Sequence, residues 1–135
     1  MYTNKIVLII RSDLQSWQKL NVAAFLAGAV ALKFPETHGA PFVNKSDTYL
    51  PFTTHPILIY KAETEQQIKR AFTRAKVRNL SIGIYTKPLF STRTEGDNLR
   101  EIAKYTDEEQ DLVGIIIYGE NKKVDKAVDG LKFHE

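Results

Sequence analysis

The feature that most restricts the possible folds of this chain is a run of five branched apolar residues, Ile-Val-Leu-Ile-Ile, at positions 6–10. A strand with one wet face alternates apolar and polar residues, whereas an unbroken apolar run is typical of a strand covered on both faces. We therefore expect residues 5–11 to form a strand between two helical layers. The length of 135 residues suits one domain, residues 1–135, built around such a sheet.

A long helix is predicted directly after this strand. Residues 14–34 carry apolar side chains at helical spacing, and Pro35 closes the segment. Small residues such as Ala24 and Gly28 would let the helix lie close to the sheet, yet apolar residues also occupy most of its remaining circumference. Such a helix needs cover on more than one side. We expect either the next segment or a second copy of the chain to supply it, the latter giving a homodimer through this first helix.

Strands and helices alternate along the rest of the chain. The predicted strands are residues 56–60, 80–85 and 112–118, and the predicted helices are residues 64–79 and 98–105. Residues 122–130 are expected to form a closing helix or a turn before 131–133, and residues 36–55 a packed excursion in which 49–52 touch the core. This alternation predicts an α/β layer sandwich.

Composition excludes several kinds of function. The chain has no cysteine, which rules out disulfides and thiolate catalysis and suits the cytoplasm, where we expect the protein. Its three histidines lack a metal-ligand spacing, so we expect neither a metal nor another cofactor. The net charge of +3 falls far short of a dense basic stripe for nucleic acid. The apolar run at 6–10 is too short for a signal peptide, and we expect no membrane partner.

Polar side chains cluster where the first strand gives way to the first helix. Arg11, Asp13, Gln18, Lys19 and Asn21 lie at this switch, the place where open α/β sheets bind ligands. An arginine at the mouth of the sheet suits a carboxylate or a phosphate. The alternative interpretation is a local ion pair between Arg11 and Asp13 together with a helix cap.

Three further features have both a functional and a structural interpretation. Trp17 could stack on a base or another ring, but its helical spacing with two leucines favours a place in the core. Thr92 and Arg93, in the loop after the third strand, could hold an anion. The second helix carries a basic face that could contact phosphates, although solvated charges explain it equally well. This face comprises Lys69, Arg70, Arg74, Lys76 and Arg78.

The opening segment resembles type II peptidyl-tRNA hydrolases. Residues 7–14 (VLIIRSDL) are similar to that family's apolar strand and Arg-Thr-Asp-Leu motif, and residues 21–24 (NVAA) to the start of its first helix. A closer similarity is to a family of uncharacterised small proteins grouped with the same fold. The residues that carry it are 17–22 (WQKLNV), 85–86 (YT), 89–90 (LF), 111–114 (DLVG) and 124–126 (VDK). The resemblance implies a three-layer α/β/α sandwich with a mixed four-stranded sheet, a peptidyl-tRNA hydrolase II-like fold.

The reactive positions of those hydrolases differ in this chain. Asn21 stands where the resemblance places a lysine, Phe25 where it places a glutamine, and residues 85–88 (YTKP) where it places an Asp-Ala-Gly-Arg-Thr loop. Asparagine cannot carry the positive charge that would stabilise an oxyanion, and phenylalanine cannot orient water by hydrogen bonding. These differences disfavour peptidyl-tRNA hydrolysis.

The residues support two hypotheses of different class. The first is a pocket for a small or RNA-linked anion with a hydrolase activity, in which Lys19 stabilises charge, Asn21 orients the substrate and Thr86 or Asp97 positions water. Lys19 reaches the pocket of Asn21 only if the helix begins late or bends, because residues two apart point to different sides of a helix. The second is a non-catalytic binding or homodimeric module. Dispersal of these four residues over more than one face would favour the second.

If the ligand is tRNA, its binding should depend on the basic face of the second helix. Reversing the charges of Arg74 and Arg78 should weaken tRNA retention and flatten its salt dependence, because fewer counterions are released on binding. Filter binding over a salt series measures both quantities. Unchanged retention would remove the RNA-linked ligand from consideration.

Overall fold

A mixed five-stranded sheet forms the centre of the protein in the computed structural model, which describes residues 2–135. The strands are β1 (Asn4–Arg11), β2 (Phe42–Val43), β3 (Thr48–Tyr49), β4 (Ile57–Ala62), β5 (Ser81–Thr86), β6 (Leu112–Glu120) and β7 (Lys132–Phe133). The helices are α1 (Ser16–Lys33), α2 (Glu65–Val77), α3 (Glu95–Ala103) and α4 (Asn121–Ala127), with short 3-10 segments at Pro35–Thr37, Lys87–Ser91 and Asp107–Glu109.

The main sheet has the strand order β5-β6-β1-β4-β7. Only the β1–β4 pair in this sheet is parallel, and its other three pairs are antiparallel. The prediction of a doubly covered first strand is confirmed, because residues 6–10 of β1 are all buried, as are residues 112–118 of β6. The predicted count of four strands is one too low. β7 pairs with β4 through only Tyr60–Phe133 and Lys61–Lys132, and two residues are too few to show a strand pattern.

The helices divide between the two faces of the sheet and build two separate layers of core. On one face α1 contributes Val22, Leu26 and Val30. On the other face α2 packs through Ile68 and its alanines, beside Val124 of α4. The predicted α/β sandwich is therefore confirmed as a mixed α/β fold with helices on both faces.

The predicted ends of the helices are close to the observed ones. α3 begins three residues earlier than predicted, at Glu95, because the Thr94 hydroxyl accepts a hydrogen bond from the Asp97 amide at 3.1 Å and so caps the helix. After α2 the chain turns at Asn79, whose φ of 56° places it in the left-handed region that asparagine tolerates.

The excursion between α1 and β4 differs from the prediction. Residues 40–52 are all exposed, and Tyr49 and Phe52 point away from the core that they were expected to touch. The segment instead forms a hairpin in which β2 and β3 pair with each other. Within it the Phe42 and Phe52 rings pack on each other, with centroids 4.5 Å apart.

Two glycines let α1 lie close to the sheet. A Cβ at Gly114 of β6 would collide with Cγ1 of Val22, so the missing side chain provides the space that Val22 fills. A Cβ at Gly83 of β5 would come within 2.8 Å of Ile116 Cγ2 and within 3.6 Å of Ala29 on α1. These contacts fix the height of α1 above β5 and β6. Within residues 2–135, none of the helices has the length and apolar character needed to cross a membrane.

Substituting Gly114 tests this contact. Gly114→Ala should lower the free energy of unfolding by about 1–3 kcal/mol, because the new methyl group overpacks the layer between α1 and β6. Gly28→Ala is the matched control, since nothing lies within 4 Å of a Cβ at that helical position. It should raise the same quantity by about 0.5–1 kcal/mol. Urea denaturation at one fixed protein concentration, low enough to keep the chain monomeric, measures both, and equal effects would contradict the proposed packing.

Candidate functional site

A cleft of 660 Å³ lies between α1 and the segment that leaves β5. One wall is α1, the floor is β5 at Gly83, and the other wall is the chain from Leu89 to the start of α3. Because α1 is held close to β5, the cleft opens where the chain turns away from the end of the strand. The expectation of a cleft near this corner rested on residues 11–21, of which Trp17 and Asn21 line it.

Four aromatic side chains line this cleft. Trp17 and Phe25 come from α1, Tyr85 from the end of β5 and Phe90 from the following 3-10 segment. Phe90 lies edge-on to Trp17 at 5.8 Å between ring centroids and 5.1 Å from Tyr85, and Phe25 lies 6.2 Å from Tyr85. Trp17 is 56% exposed, so the sequence-based expectation that it belongs to the core is wrong. Its indole lines the cleft and is more than half exposed.

An amide and a phenol meet inside the cleft. Asn21 Nδ2 donates to the Tyr85 hydroxyl oxygen at 3.1 Å, a contact between α1 and β5 that leaves the hydroxyl proton for another acceptor. Burial raises the pKa of Tyr85 above its usual 10.0, and the hydrogen bond from Asn21 opposes that rise. Tyr85 is therefore a neutral hydrogen-bond donor at physiological pH.

The outer rim of the cleft is polar and carries one charge of each sign. Thr92 donates to the carbonyl of Leu89 at 2.8 Å and also contacts the side-chain amide of Asn98, which ties the rim to α3. Arg93 and Glu95 are exposed beside it. Within residues 2–135 the Arg93 guanidinium has no ion-pair partner. The expected anion-holding pair, Thr92 and Arg93, thus lies at the mouth of the cleft.

Lys19 does not reach this cleft. α1 begins at Ser16, before Lys19, so Lys19 and Asn21 point to different sides of one regular helix. Lys19 instead lines a second cleft of 340 Å³, together with Leu20, Ile59 and His134. The condition under which Lys19 could serve the pocket of Asn21 is therefore not met.

Three other candidates near the start of α1 take local structural roles. Arg11 and Asp13 form an ion pair at 2.8 Å, which is the alternative that the sequence left open. Gln18 Oε1 accepts a hydrogen bond from the backbone amide of Gln15 at 3.0 Å, so Gln18 supports the first turn of the helix. None of the three lines the main cleft.

Thr86 and Asp97, the candidates for positioning water, also lie apart from Asn21. Thr86 is buried where the β5–β6 pairing becomes irregular. Asp97 belongs to the first turn of α3, where the Arg100 guanidinium, then the backbone amide of Arg93, lowers the pKa of its carboxyl. The four residues assigned to hydrolysis are therefore dispersed over several environments.

The aromatic lining is the part of the site that the sequence analysis missed. Asn21 was a candidate from the start, and Trp17 and Phe25 lie four residues before and after it, which places all three along one side of a helix. This spacing is the signal that could have added the two aromatic residues. Tyr85 and Phe90 had been noted only as part of a family resemblance. No periodicity links them to α1, because the end of a strand and a 3-10 turn bring them there.

The basic face of α2 is largely engaged by neighbouring groups. Lys69 pairs with Glu65 at 3.0 Å, and Lys76 pairs with Asp107. Arg74 donates to the carbonyl of Asp129 at 2.9 Å. Such contacts favour the structural interpretation of this face. Among residues 2–135 no group of three histidine or acidic side chains could hold a metal ion.

The sheet order, the helical layers and this cleft define a small α/β protein with one aromatic-lined site at the end of β5. Residues 4–135 match a family described as a protein of unknown function, DUF2000, and the chain belongs to that family. The solved structure of Atu0240, a protein of unknown function from Agrobacterium tumefaciens, is 28% identical with a TM-score of 0.95, and each chain covers 100% of the other. A search of curated proteins gives no match.

These comparisons confirm that the chain belongs to an uncharacterised family. Neither match links it to the peptidyl-tRNA hydrolases that its opening segment resembles.

The buried phenol should make stability depend on pH in the alkaline range. The folded state holds the Tyr85 proton above the usual pKa of 10.0, whereas the unfolded state releases it there, so unfolding becomes easier as pH rises past that value. Tyr85→Phe should reduce this loss of stability. Asn21→Ala should enlarge it, because removal of the amide lets the Tyr85 pKa rise further. Urea denaturation at pH values on both sides of about pH 10 tests both signs, and equal slopes in all three proteins would contradict the assignment.

Proposed function

We propose that this protein is a non-catalytic binding protein whose main cleft holds a small planar ring carrying one acidic group. The observation that carries the proposal is the set of four aromatic side chains around one cleft, with a neutral phenol inside it. At the mouth lies an arginine without an ion-pair partner among residues 2–135. The volume of 660 Å³ falls within the range of about 300–1,000 Å³ usual for small-molecule sites.

The aromatic walls select for a flat ring. Trp17 and Phe90 meet edge to face, so a ring placed against the open face of the indole gains stacking without displacing a buried side chain. Gly83 in the floor adds no side chain that would obstruct such a ring. A flat ligand uses this surface better than a flexible chain, which would lose more conformational entropy on binding.

The polar groups inside the cleft can form hydrogen bonds with one edge of the bound ring. The Tyr85 hydroxyl offers its proton to an acceptor such as a ring nitrogen or a carbonyl oxygen, since its oxygen is already engaged by Asn21. A buried donor left without a partner would cost roughly 1–3 kcal/mol, so the site discriminates against rings that lack an acceptor at this edge.

The mouth of the cleft supports one negative group on the ligand. Arg93 supplies a guanidinium that suits a carboxylate or a phosphate, and it has no competing ion pair within residues 2–135. Glu95 lies at the same rim and would repel a second negative group. Nucleotide monophosphates and aromatic carboxylates share this chemistry of ring and single acidic group.

Dispersal of the hydrolytic candidates supports binding without turnover. Lys19 lines another cleft, Thr86 is buried and the Asp97 carboxylate is paired with the Arg100 guanidinium. The titratable groups that do line the main cleft are Tyr85, Arg93 and Glu95. The high pKa of the phenol makes it a poor general base at neutral pH.

A type II peptidyl-tRNA hydrolase-like fold belongs to the same proposal. Asn21 and Phe25 occupy positions where the resemblance places a reactive lysine and glutamine, and both line the main cleft. This coincidence supports a pocket of common origin in which charge has been replaced by an amide and a ring.

Ligand binding can be tested by thermal shift with two panels, nucleotide monophosphates and aromatic carboxylates, followed by calorimetric titration of every hit. Arg93→Ala and Trp17→Ala should each weaken binding about tenfold, through loss of the charged contact and of the stacking surface. Lys19→Ala is the matched control because it also removes one positive charge, but from the second cleft. It should leave the affinity unchanged.

The outcomes distinguish the two classes of ligand from each other, and both from failure of the proposal. Hits confined to one panel identify the source as nucleotide or aromatic acid. Equal losses in the Arg93 and Lys19 variants would mean attraction by net charge alone and would contradict the site. Absence of a hit in both panels would also refute it.

A further inference from the structure

The outward side of α1 is apolar and uncovered. Residues 20–32 contain no charged side chain, and Asn21 is their only polar one. Leu20 is 72% exposed, Phe25 64% and Leu32 89%, although α1 packs its opposite side on the sheet. A helix buried on one side normally carries charge on the other, so this composition indicates a missing contact.

A second apolar surface begins where α1 ends. The hairpin at residues 40–52, which we call the arm, is exposed throughout and includes Leu50, which is 83% exposed. His38 at the base of the arm contacts the carbonyl oxygen of Ala31, which anchors the arm to the last turns of α1. The large apolar side chains exposed on the arm are Phe42, Val43, Tyr49, Leu50 and Phe52.

The two surfaces together are too large for an isolated copy of the chain. Each of their large apolar side chains leaves on the order of 100–150 Å² exposed to solvent. Together the two surfaces therefore expose roughly 1,000 Å² of apolar area. The largest apolar patch on a typical monomer is about 300–600 Å². A stable interface buries about 800 Å² on each partner. The exposed area therefore matches what a stable dimer needs.

We propose that a second copy of this chain covers the outward side of α1 and the arm. A two-fold interface places the same surface on both sides, so it must not repel itself. The side of α1 meets this condition because it is uncharged between Lys19 and Lys33, despite the net charge of +3. The only charged residues of the arm are Lys45 and Asp47, whose charges are of opposite sign.

The small residues Ala24 and Gly28, expected from the sequence to face the sheet, instead lie on the outward side of α1, where they agree with a close helix contact. Ala24 is exposed, and a Cβ at Gly28 would meet nothing within 4 Å. A neighbouring helix could therefore approach α1 closely along this line. Because Phe25 also walls the main cleft, the second copy would lie beside the mouth of that cleft.

The oligomeric state tests this proposal. Sedimentation velocity over a concentration series should show that the native chain is a dimer. Ala24→Glu on α1 and Leu50→Glu on the arm should each raise the dimer dissociation constant tenfold or more, on the order expected for a charge forced into an apolar contact. Both positions are exposed, so each variant should keep the native circular dichroism spectrum.

Val77→Glu is the matched control. Val77 is 74% exposed on α2, on the opposite side of the sheet, so the same added charge there should leave the dimer intact. A native chain that stays monomeric up to its solubility limit would overturn the proposal, as would a dimer that both interface variants preserve. A monomer that sediments with phosphatidylcholine vesicles would assign the surface to a membrane instead of a second copy.

Discussion

The contact between Val22 and the bare backbone of Gly114 is the constraint on which the rest of this structure depends. It sets α1 directly on β6, while Gly83 lets the same helix pass close to β5. One side of α1 is thereby buried in the core. Asn21 and Phe25 are placed at the edge of β5, where the cleft forms, and the side of α1 that faces away from the sheet, with Leu20 and Leu32, is left without cover.

Where residues repeat a simple pattern, the sequence predicted the fold well. The unbroken apolar runs of β1 and β6 identified strands buried on both faces, and the spacing along α1 and α2 identified helices. β7 escaped detection because its pairing involves two residues. The arm was mistaken for a packed segment because its aromatic side chains resemble core residues in composition, and composition does not say whether a partner surface lies within the same chain.

Prediction of the site was less successful, for a related reason. Sequence proximity grouped Lys19 with Asn21, but a regular helix turns neighbouring positions to different sides. The interaction that does organise the cleft joins Asn21 to Tyr85, which lies 64 positions further along the chain. Thr92 and Arg93 line this cleft, whereas the Asp97 carboxylate pairs with Arg100 on the first turn of α3. The sequence shows which chemical groups are present. Which of them meet in one cleft depends on how the sheet brings distant parts of the chain together.

The order of the central strands has a consequence for how the protein is made. β1 lies between β4 and β6, and Asn4 pairs with Glu120, so the middle of the sheet joins the two ends of the described chain. Closing so long a loop is slow, and during synthesis β1 and α1 leave the ribosome long before β6 exists. The apolar residues of β1 and α1 must therefore stay out of aggregates until β6 has been synthesised.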